Sequence, residues 1–441
     1  IAGVLLETAA FVSRASPLPH LFSHCPIHLR EFFVAHPAQR RWYPLVFVIA
    51  ALVLLPLSVL LLSWQSIDTQ IWSHLWDTQM PRLLGNTLTL IVGVGIGVTL
   101  LGVSLAWLTS LCEFPGRRWL DWALMLPFAI PAYVLAFVFV GLLDFAGPVQ
   151  TLLREWFGMG LRLPRVRSTG GVIIVLILVF YPYVYLLART AFLAQGKGLM
   201  EAARVLGQSP WQAFWRVALP MARPAIGAGV ALALMETLAD YGTVAYFAVN
   251  TFTTGIYRAW FSLGDRVAAA QLAAMLLAFV LFLLTVERIS RGRARYHNTT
   301  GRNRPMAGAR LKGLAAGLAI LACVLPLLLG FVLPAGLLLK MALTEGDAQF
   351  GERFLTLSRN SFVLAGATAA IGVLLALLLA YGARLAKNSL ASGLNRLVGL
   401  GYAVPGAVIA VGVLIPVSRL DNWLAAQWTA WFAYKDRKSV V

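Results

Sequence analysis

The chain has 441 residues, of which 59% are hydrophobic and only 12% are charged, whereas a typical soluble domain carries about 25% charged residues. This composition excludes a water-soluble globular protein, because so much apolar surface needs lipid. A net charge of +18 would indicate nucleic-acid binding in a soluble protein. Here the basic residues lie mostly between apolar runs, which is typical of cytoplasmic loops in a membrane protein. We therefore expect lipid, and no nucleic acid, as a partner.

Residues 1–40 precede the first apolar run, and we expect them to be a leader that is non-native or disordered. Residue 1 is Ile, and within residues 1–33 the basic residues follow the short apolar stretch. A signal peptide has the reverse order. We therefore expect residues 1–33 to lie outside the natural folded protein.

Nine apolar runs are each long enough to cross the hydrocarbon core of a membrane, which takes about 20 residues. Because a backbone in lipid must satisfy its own hydrogen bonds, we interpret all nine as helices. The runs are approximately 44–63, 86–110, 120–143, 171–193, 225–247, 267–286, 313–339, 360–382 and 397–417.

Basic residues between the runs predict the orientation of the helices. The segment 287–312 is rich in Arg and should be cytoplasmic. Alternation then predicts a cytoplasmic N-terminus, cytoplasmic segments 111–119, 194–224 and 383–396, and outer segments 64–85 and 340–359. The segment 144–170 disagrees, since it should be outside although it contains several Arg residues.

The chain repeats itself at a constant offset of 274 residues. This offset maps Asn86 onto Asn360, and it maps 128–131 (Phe-Ala-Ile-Pro) onto 402–405 (Tyr-Ala-Val-Pro). An even number of spans separates the copies, so the repeats should be parallel. The predicted fold class is an all-α membrane protein, a polytopic transmembrane helix bundle of two parallel repeats. We expect a first unit of six helices at 41–290, a basic cytoplasmic linker at 291–311 and a second unit at 312–441, truncated after its third helix.

The cytoplasmic loop between spans four and five has the pattern of two short helices. Gly207 can adopt the left-handed conformation that ends the first helix. Ser209 can cap the second helix, with Pro210 at its first position, and Pro220 should end it. An apolar stripe on the second helix is formed by Ala213, Phe214 and Val217. Two such helices on the membrane surface suit docking into a groove of a soluble partner.

This loop resembles the signature loop of permease subunits of ABC importers. The matching residues are Glu201, Ala202, Ala203, Gly207, Val217, Leu219 and Pro220. In that family the loop is the coupling helix that inserts into the ATPase subunit. The resemblance implies the membrane-spanning permease of an ATP-driven importer, whereas the simpler alternative is an amphipathic surface helix between two spans.

Two permease units in one chain, together with Asp240-Tyr241-Gly242 and the stretch 251–260, resemble the permeases of iron(III) importers. This resemblance implies two copies of an ABC ATPase and a periplasmic binding protein as partners, in a bacterial inner membrane. Permeases for thiamine, sulfate, molybdate and polyamines share the loop, so these substrates stay open. The chain departs from the pattern because it has no second Glu-Ala-Ala loop.

Glu236, Asp240 and Tyr241 are the candidate residues of the substrate path. The two acids are four residues apart and would share one face of span five. A charge at the centre of a bilayer costs about 2.5–3.5 kcal/mol, so both acids should face the bundle interior. They would either line a cation path or form a hydrogen-bonded packing pair.

The sequence shows no catalytic triad, paired-carboxylate site or P-loop, and its three cysteines show no CxxC pairing. We therefore expect no enzymatic activity, no metal site and no cofactor of its own, with ATP used by partner ATPase subunits. The rival class is an ion-coupled secondary transporter, which parallel repeats and intramembrane acids would also suit. The Glu-Ala-Ala loop disfavours that rival, because such a transporter docks no ATPase.

Overall fold

The computed structural model describes residues 42–65, 69–158, 164–195, 205–291, 309–345, 351–386 and 389–432. Several predicted features lie outside these residues. They are the leader 1–40, the loop residues Glu201, Ala202 and Ala203, most of the linker 291–311 and the tail 433–441.

The described chain is almost entirely helical. The helices of the first half are α1 (Trp42–Leu62), α2 (Thr69–Thr78), α3 (Met80–Leu111), α4 (Arg117–Ala123), α5 (Ala132–Leu143), α6 (Pro148–Phe157), α7 (Thr169–Ala194), α8 (Pro210–Ala213), α9 (Leu219–Ala239), α10 (Gly242–Tyr246), α11 (Phe252–Tyr257) and α12 (Arg266–Arg291). Those of the second half are α13 (Leu314–Leu327), α14 (Leu333–Glu345), α15 (Glu352–Ala386), α16 (Ser389–Gly399) and α17 (Gly406–Phe432).

Shorter segments join several of these helices. The 3₁₀ segments are Ser63–Gln65, Leu126–Ala129 and Leu400–Ala403, and the π-helical segments are Phe214–Ala218, Arg258–Ser262 and Leu328–Val332. Two short strands, β1 (Cys112–Glu113) and β2 (Ala309–Arg310), pair in parallel.

Nine segments of the described chain are long and apolar enough to cross a membrane. They are Phe47–Gln65, Met80–Leu111, Ala132–Phe157, Thr169–Ala194, Trp211–Ala239, Arg266–Ser290, Leu314–Thr344, Glu352–Gly382 and Gly406–Thr429. Each overlaps one of the nine predicted runs, which confirms the all-α polytopic fold class. The bounds of spans three and five differ most from the prediction.

Span three is broken where the sequence predicts one helix over 120–143. Helix α4 ends at Ala123, a 3₁₀ segment contains Pro127, and α5 begins only after Pro131. Ile130 between them is extended, with φ −103° and ψ 117°. A residue that precedes proline is disfavoured in the α region, so Pro131 interrupts the helix completely at this point.

The same break recurs in span nine at the predicted offset. The 3₁₀ segment Leu400–Ala403 corresponds to Leu126–Ala129, and α17 begins at Gly406 as α5 begins at Ala132. The Ile130 amide donates to the Pro127 carbonyl at 3.2 Å, and the equivalent Val404 amide donates to the Gly401 carbonyl at 3.2 Å. The two repeats therefore share their local geometry as well as their sequence pattern.

The two repeats exchange their first spans. Helix α1 of the first repeat packs against α15, α16 and α17 of the second. In return, α13 and the π segment after it pack against α3, α4 and α7 of the first repeat. The contact is close at Gly412, where an added β-carbon would lie 2.6 Å from the Pro56 carbonyl oxygen.

Small residues bring α3, α7 and α9 together in the first repeat. A β-carbon at Gly102 of α3 would lie 2.7 Å from the Val184 side chain, and one at Gly229 of α9 would lie 2.7 Å from the Val184 α-carbon. Glycine at these positions therefore allows the helices to approach closely, as small residues commonly do between helices in lipid.

Candidate functional site

The loop before span five has the backbone geometry that the sequence predicts. Gly207 has a φ of +78°, the left-handed conformation that favours glycine. After it, the Gln212 amide donates to the Ser209 hydroxyl at 3.3 Å, while the Ser209 amide donates to the Gln212 side-chain oxygen at 3.1 Å. This reciprocal pair is a capping box, which confirms Ser209 as the cap of the helix that begins at Pro210.

The inner face of this segment packs on the ends of two transmembrane helices. Ala213 and Phe214 are buried, and the ring of Phe214 lies 4.2 Å from that of Trp107 at the end of α3. It also lies 6.3 Å from Phe192 near the end of α7. The Gln195 side chain donates to the Ala218 carbonyl at 2.9 Å. The predicted stripe therefore packs against the bundle itself and leaves other side chains outward.

Those outward side chains form an exposed apolar surface at the end of the bundle. We name it the loop surface, and it consists of Val205, Leu206, Trp211 and Trp215. Val205 and Leu206 are 86% and 79% exposed. Glu201, Ala202 and Ala203, which match the family pattern, lie outside the described residues, whereas Val217 and Leu219 pack against the main core.

The prediction that Pro220 ends the second short helix is wrong. The chain continues from α8 through the π segment Phe214–Ala218 directly into α9. In a regular α-helix the ring of Pro220 would collide with the carbonyl four residues earlier. The π segment, in which the Leu219 amide donates to the Phe214 carbonyl, is wider and admits the proline. Trp211 and Trp215 of the loop surface therefore lie on the same continuous helical rod as span five.

An ion-pair network beside the loop joins spans two, three and four. Asp121 accepts two hydrogen bonds from the Arg189 guanidinium. The Tyr185 hydroxyl donates to the Asp121 carboxylate at 2.8 Å and lies 3.2 Å from the Thr109 hydroxyl. These residues were not predicted from the sequence. The available signal was a lone acid and a lone base, each within an apolar run.

Three segments predicted to be cytoplasmic meet at this same end of the bundle. Strand β1 follows α3 and pairs with β2 before α13, and the Arg310 guanidinium lies 3.3 Å from the Glu113 carboxylate. Trp107, which contacts Phe214, lies in the last turns of α3. The far end of α3 is marked by Asn86, whose side chain donates to the Asn250 carbonyl at 2.8 Å.

Two of the arginines that disagreed with the predicted topology find partners within their own segment, 144–170. The Arg154 guanidinium donates to the Phe145 carbonyl at 2.7 Å and lies 4.3 Å above its ring. Arg167 forms an ion pair with Asp144 at 3.4 Å. These contacts give the arginines a structural role that does not depend on the side of the membrane.

Glu236 is half-buried inside the bundle, beside two tyrosines. The Tyr183 hydroxyl donates to one carboxylate oxygen of Glu236 at 3.5 Å, and the Tyr402 hydroxyl donates to the same oxygen at 3.3 Å. Phe128, the counterpart of Tyr402 in the first repeat, lies 4.6 Å from the Tyr183 ring. Within the described residues, no group of three or more His, Cys, Asp or Glu side chains is placed to hold a metal.

Asp240 lies just beyond the end of the helix that carries Glu236, whereas the prediction placed both acids on that helix. Helix α9 ends at Ala239, and Asp240 is extended, with ψ 125°. One Asp240 oxygen accepts from the Thr243 and Val244 amides at 2.9 and 3.1 Å, and the other accepts from the Thr243 hydroxyl at 2.9 Å. A carboxylate satisfies the free amides at the start of a helix, so Asp240 caps α10. The sequence signal for this cap was an acid, Asp240, followed three residues later by Thr243.

Tyr241 immediately precedes α10. Its side chain is 38% exposed, and its ring stacks on Tyr257 at 3.9 Å with an angle of 21° between the planes. The structure therefore joins Glu236 by hydrogen bonds to Tyr183 and Tyr402. Asp240 is bonded to the start of α10, and Tyr241 is stacked on Tyr257.

Comparisons with known proteins agree with the resemblance found in the loop. Over 350 residues the chain is 31% identical to the Fe(3+)-transport system permease protein FbpB 2 of Haemophilus influenzae, covering 77% of this chain and 64% of that protein. It is 36% identical over 149 residues to a probable sulfate transport system permease protein cysT of Chlorokybus atmophyticus, covering 34% of this chain and 50% of that protein.

A third relative is the molybdenum transport system permease protein ModB of Escherichia coli K12, which is 29% identical over 203 residues, covering 44% of this chain and 87% of that protein. The chain thus spans less than two thirds of the length of the first two relatives. Residues 98–296, which include the loop from Val205 to Pro220, match the family described as the binding-protein-dependent transport system inner membrane component. Over these residues the chain is similar to that family of membrane permeases.

Proposed function

We propose that this chain is the transmembrane permease subunit of an ATP-driven ABC importer and that the loop surface docks on an ATPase subunit. The observation that supports this most is the loop itself. Its left-handed Gly207 and the Ser209 capping box hold an apolar surface outward, while Phe214 anchors the same segment to two spans. An exposed apolar surface on a rigid mount suits a soluble partner.

The continuous rod of α8, the π segment and α9 supports a mechanism for coupling. Closure of two partner ATPases would displace the loop surface, and the rod would transmit this displacement to span five and to Glu236. The Asp121–Arg189 pair holds spans three and four together beside the loop, so these spans move as one body. Such rigid-body motion would convert inward-open to outward-open states. ATP is hydrolysed by the partners, and this subunit performs no chemistry.

Ferric iron, delivered by a periplasmic binding protein, is the substrate we propose. A relative that aligns over 77% of this chain is named an Fe(3+)-transport permease. Glu236 also favours a cation, because it forms no ion pair in the described part of the chain and would repel sulfate or molybdate. Thiamine and polyamines are cationic as well, so competition between substrates decides among them.

Uptake into proteoliposomes tests this function. The complete permease is reconstituted with its ATPase and binding protein, and radiolabelled ferric iron is supplied outside. We expect iron uptake to require ATP on the side of the membrane where the ATPase is bound. Excess sulfate, molybdate, thiamine or spermidine should not reduce this uptake. Uptake that proceeds without ATP under an imposed ion gradient would instead identify a secondary transporter. ATP-driven uptake of a competitor but no iron would refute the choice of substrate alone.

A further inference from the structure

Three oxygen atoms converge where the two repeats meet. Glu236 belongs to α9 and Tyr183 to α7 of the first repeat, whereas Tyr402 belongs to the 3₁₀ segment of the second. Both phenol oxygens lie within 3.5 Å of one Glu236 oxygen. No other hydrogen bond and no ion pair reaches Glu236 in the chain that the structure describes, so its negative charge has no cationic partner there.

The geometry of this cluster is close to that of a small, hard cation site. Oxygen ligands around such a cation form bonds of roughly 2.0–2.1 Å in an octahedron, so neighbouring ligand oxygens lie about 2.9 Å apart. The separations of 3.3 and 3.5 Å in the cluster exceed this by about half an ångström. Both are also long for hydrogen bonds between oxygens, whose usual range is about 2.5–3.0 Å. A modest side-chain movement would therefore replace weak hydrogen bonds with coordination bonds.

The cluster is accessible and its ligands suit a trivalent ion. Tyr402 is 58% exposed, and Phe128, which lies beside Tyr183, is 37% exposed. A carboxylate and two phenolates supply three negative charges, and the two phenols release their protons to water when the ion binds. Three ligands leave other coordination positions open for water, which suits brief binding more than storage.

Resting on the proposed function, we propose that Glu236, Tyr183 and Tyr402 form a transient binding site for ferric iron between the two repeats. The site exists only while the repeats are together, because one ligand comes from the second repeat. When rocking separates the repeats, Tyr402 leaves and the affinity of the remaining two ligands falls. The same movement that opens the path therefore releases the ion.

Absorption spectroscopy tests the site directly, since ferric phenolates absorb visible light by charge transfer from the ligand. The complete permease in detergent is titrated with ferric citrate, with gallium citrate as a colourless control. We expect a visible band that Tyr402→Phe and Tyr183→Phe each reduce by about half, and at least tenfold weaker iron binding in Glu236→Gln. Tyr133→Phe is the matched control, because Tyr133 is 57% exposed and its hydroxyl forms no hydrogen bond in the described residues.

The outcomes separate this site from the proposed function. A permease that imports iron in proteoliposomes, but shows no band or a band that the three variants leave unchanged, overturns the site and leaves the function intact. A permease that imports another substrate and no iron, and that shows no band, overturns both. Size-exclusion chromatography of each variant identifies misfolded protein, and the conservative Phe and Gln changes keep side-chain volume.

Discussion

Phe128 and Tyr402 occupy equivalent positions in the two repeats, and both lie beside Tyr183. The Phe128 ring is 4.6 Å from the Tyr183 ring, and the Tyr402 hydroxyl shares a Glu236 oxygen with the Tyr183 hydroxyl. The proline-induced breaks in spans three and nine therefore both place an aromatic side chain beside Tyr183. Tyr402 has a hydroxyl and Phe128 has none, so the equivalent positions in the two repeats differ in the chemistry they bring to Tyr183.

Gly207→Val should weaken association with the ATPase. A branched side chain at a φ of +78° is strained by about 1–2 kcal/mol, which corresponds to an affinity loss of about 5–30-fold if the loop surface is displaced. Gly264→Val is the matched control, since Gly264 also has a positive φ, of +68°, with open space around it. It lies near the far end, after the π segment Arg258–Ser262. Equal ATPase binding by both variants would show that the loop has no docking role.

Asp121→Asn should destabilise the first repeat by about 1–3 kcal/mol, because the Arg189 charge would lose its partner inside the protein. The double change Asp121→Asn with Arg189→Gln should recover part of that loss. Thermal unfolding in detergent measures both. Asp144→Asn is the control, since its pair with Arg167 is about half exposed and should be worth at most about 1 kcal/mol. Similar losses at Asp121 and Asp144 would contradict the network.

Gly102→Ala should lower the thermal stability by about 1–3 kcal/mol, because the new methyl group would lie 2.7 Å from Val184 and 3.0 Å from the Tyr181 carbonyl oxygen. Gly95→Ala in the same helix should be neutral or stabilising, since its methyl group would meet Leu234 at an ordinary 3.6 Å. Unfolding temperatures of the two variants provide the comparison. A lower unfolding temperature for Gly95→Ala than for Gly102→Ala would contradict this account of the packing.

The parts that the sequence predicted are those encoded in short or regular patterns. The spans follow from long apolar runs, the repeat from one constant offset, and Gly207 and Ser209 from local rules for helix ends. Asp240 was placed inside a helix because apolar residues continue past it, whereas its carboxylate competes by capping the next helix. The partners of Glu236 are 53 and 166 residues away, so no local spacing could reveal them.

The helix end predicted at Pro220 also failed because it was based on a local rule. The rule that proline ends a helix applies to regular α-helix. A single π segment before Pro220 removes the clash, and the chain continues without interruption into span five. Where a wider turn forms depends on packing of Phe214 against Trp107 and Phe192, which is a property of the assembled bundle.

Photo-crosslinking from the loop surface tests whether this surface docks on the ATPase subunit. A photoreactive phenylalanine analogue is placed at Leu206, which is 79% exposed at the loop end, or at Leu263, which is 60% exposed near the other end. Trp107 and Asn86, which mark those ends of α3, are about 30 Å apart along that helix. In membranes containing the ATPase subunit, we expect a crosslink to the ATPase from position 206 and none from position 263. Crosslinks from position 263 alone would contradict the assignment of the loop as the ATPase-coupling element.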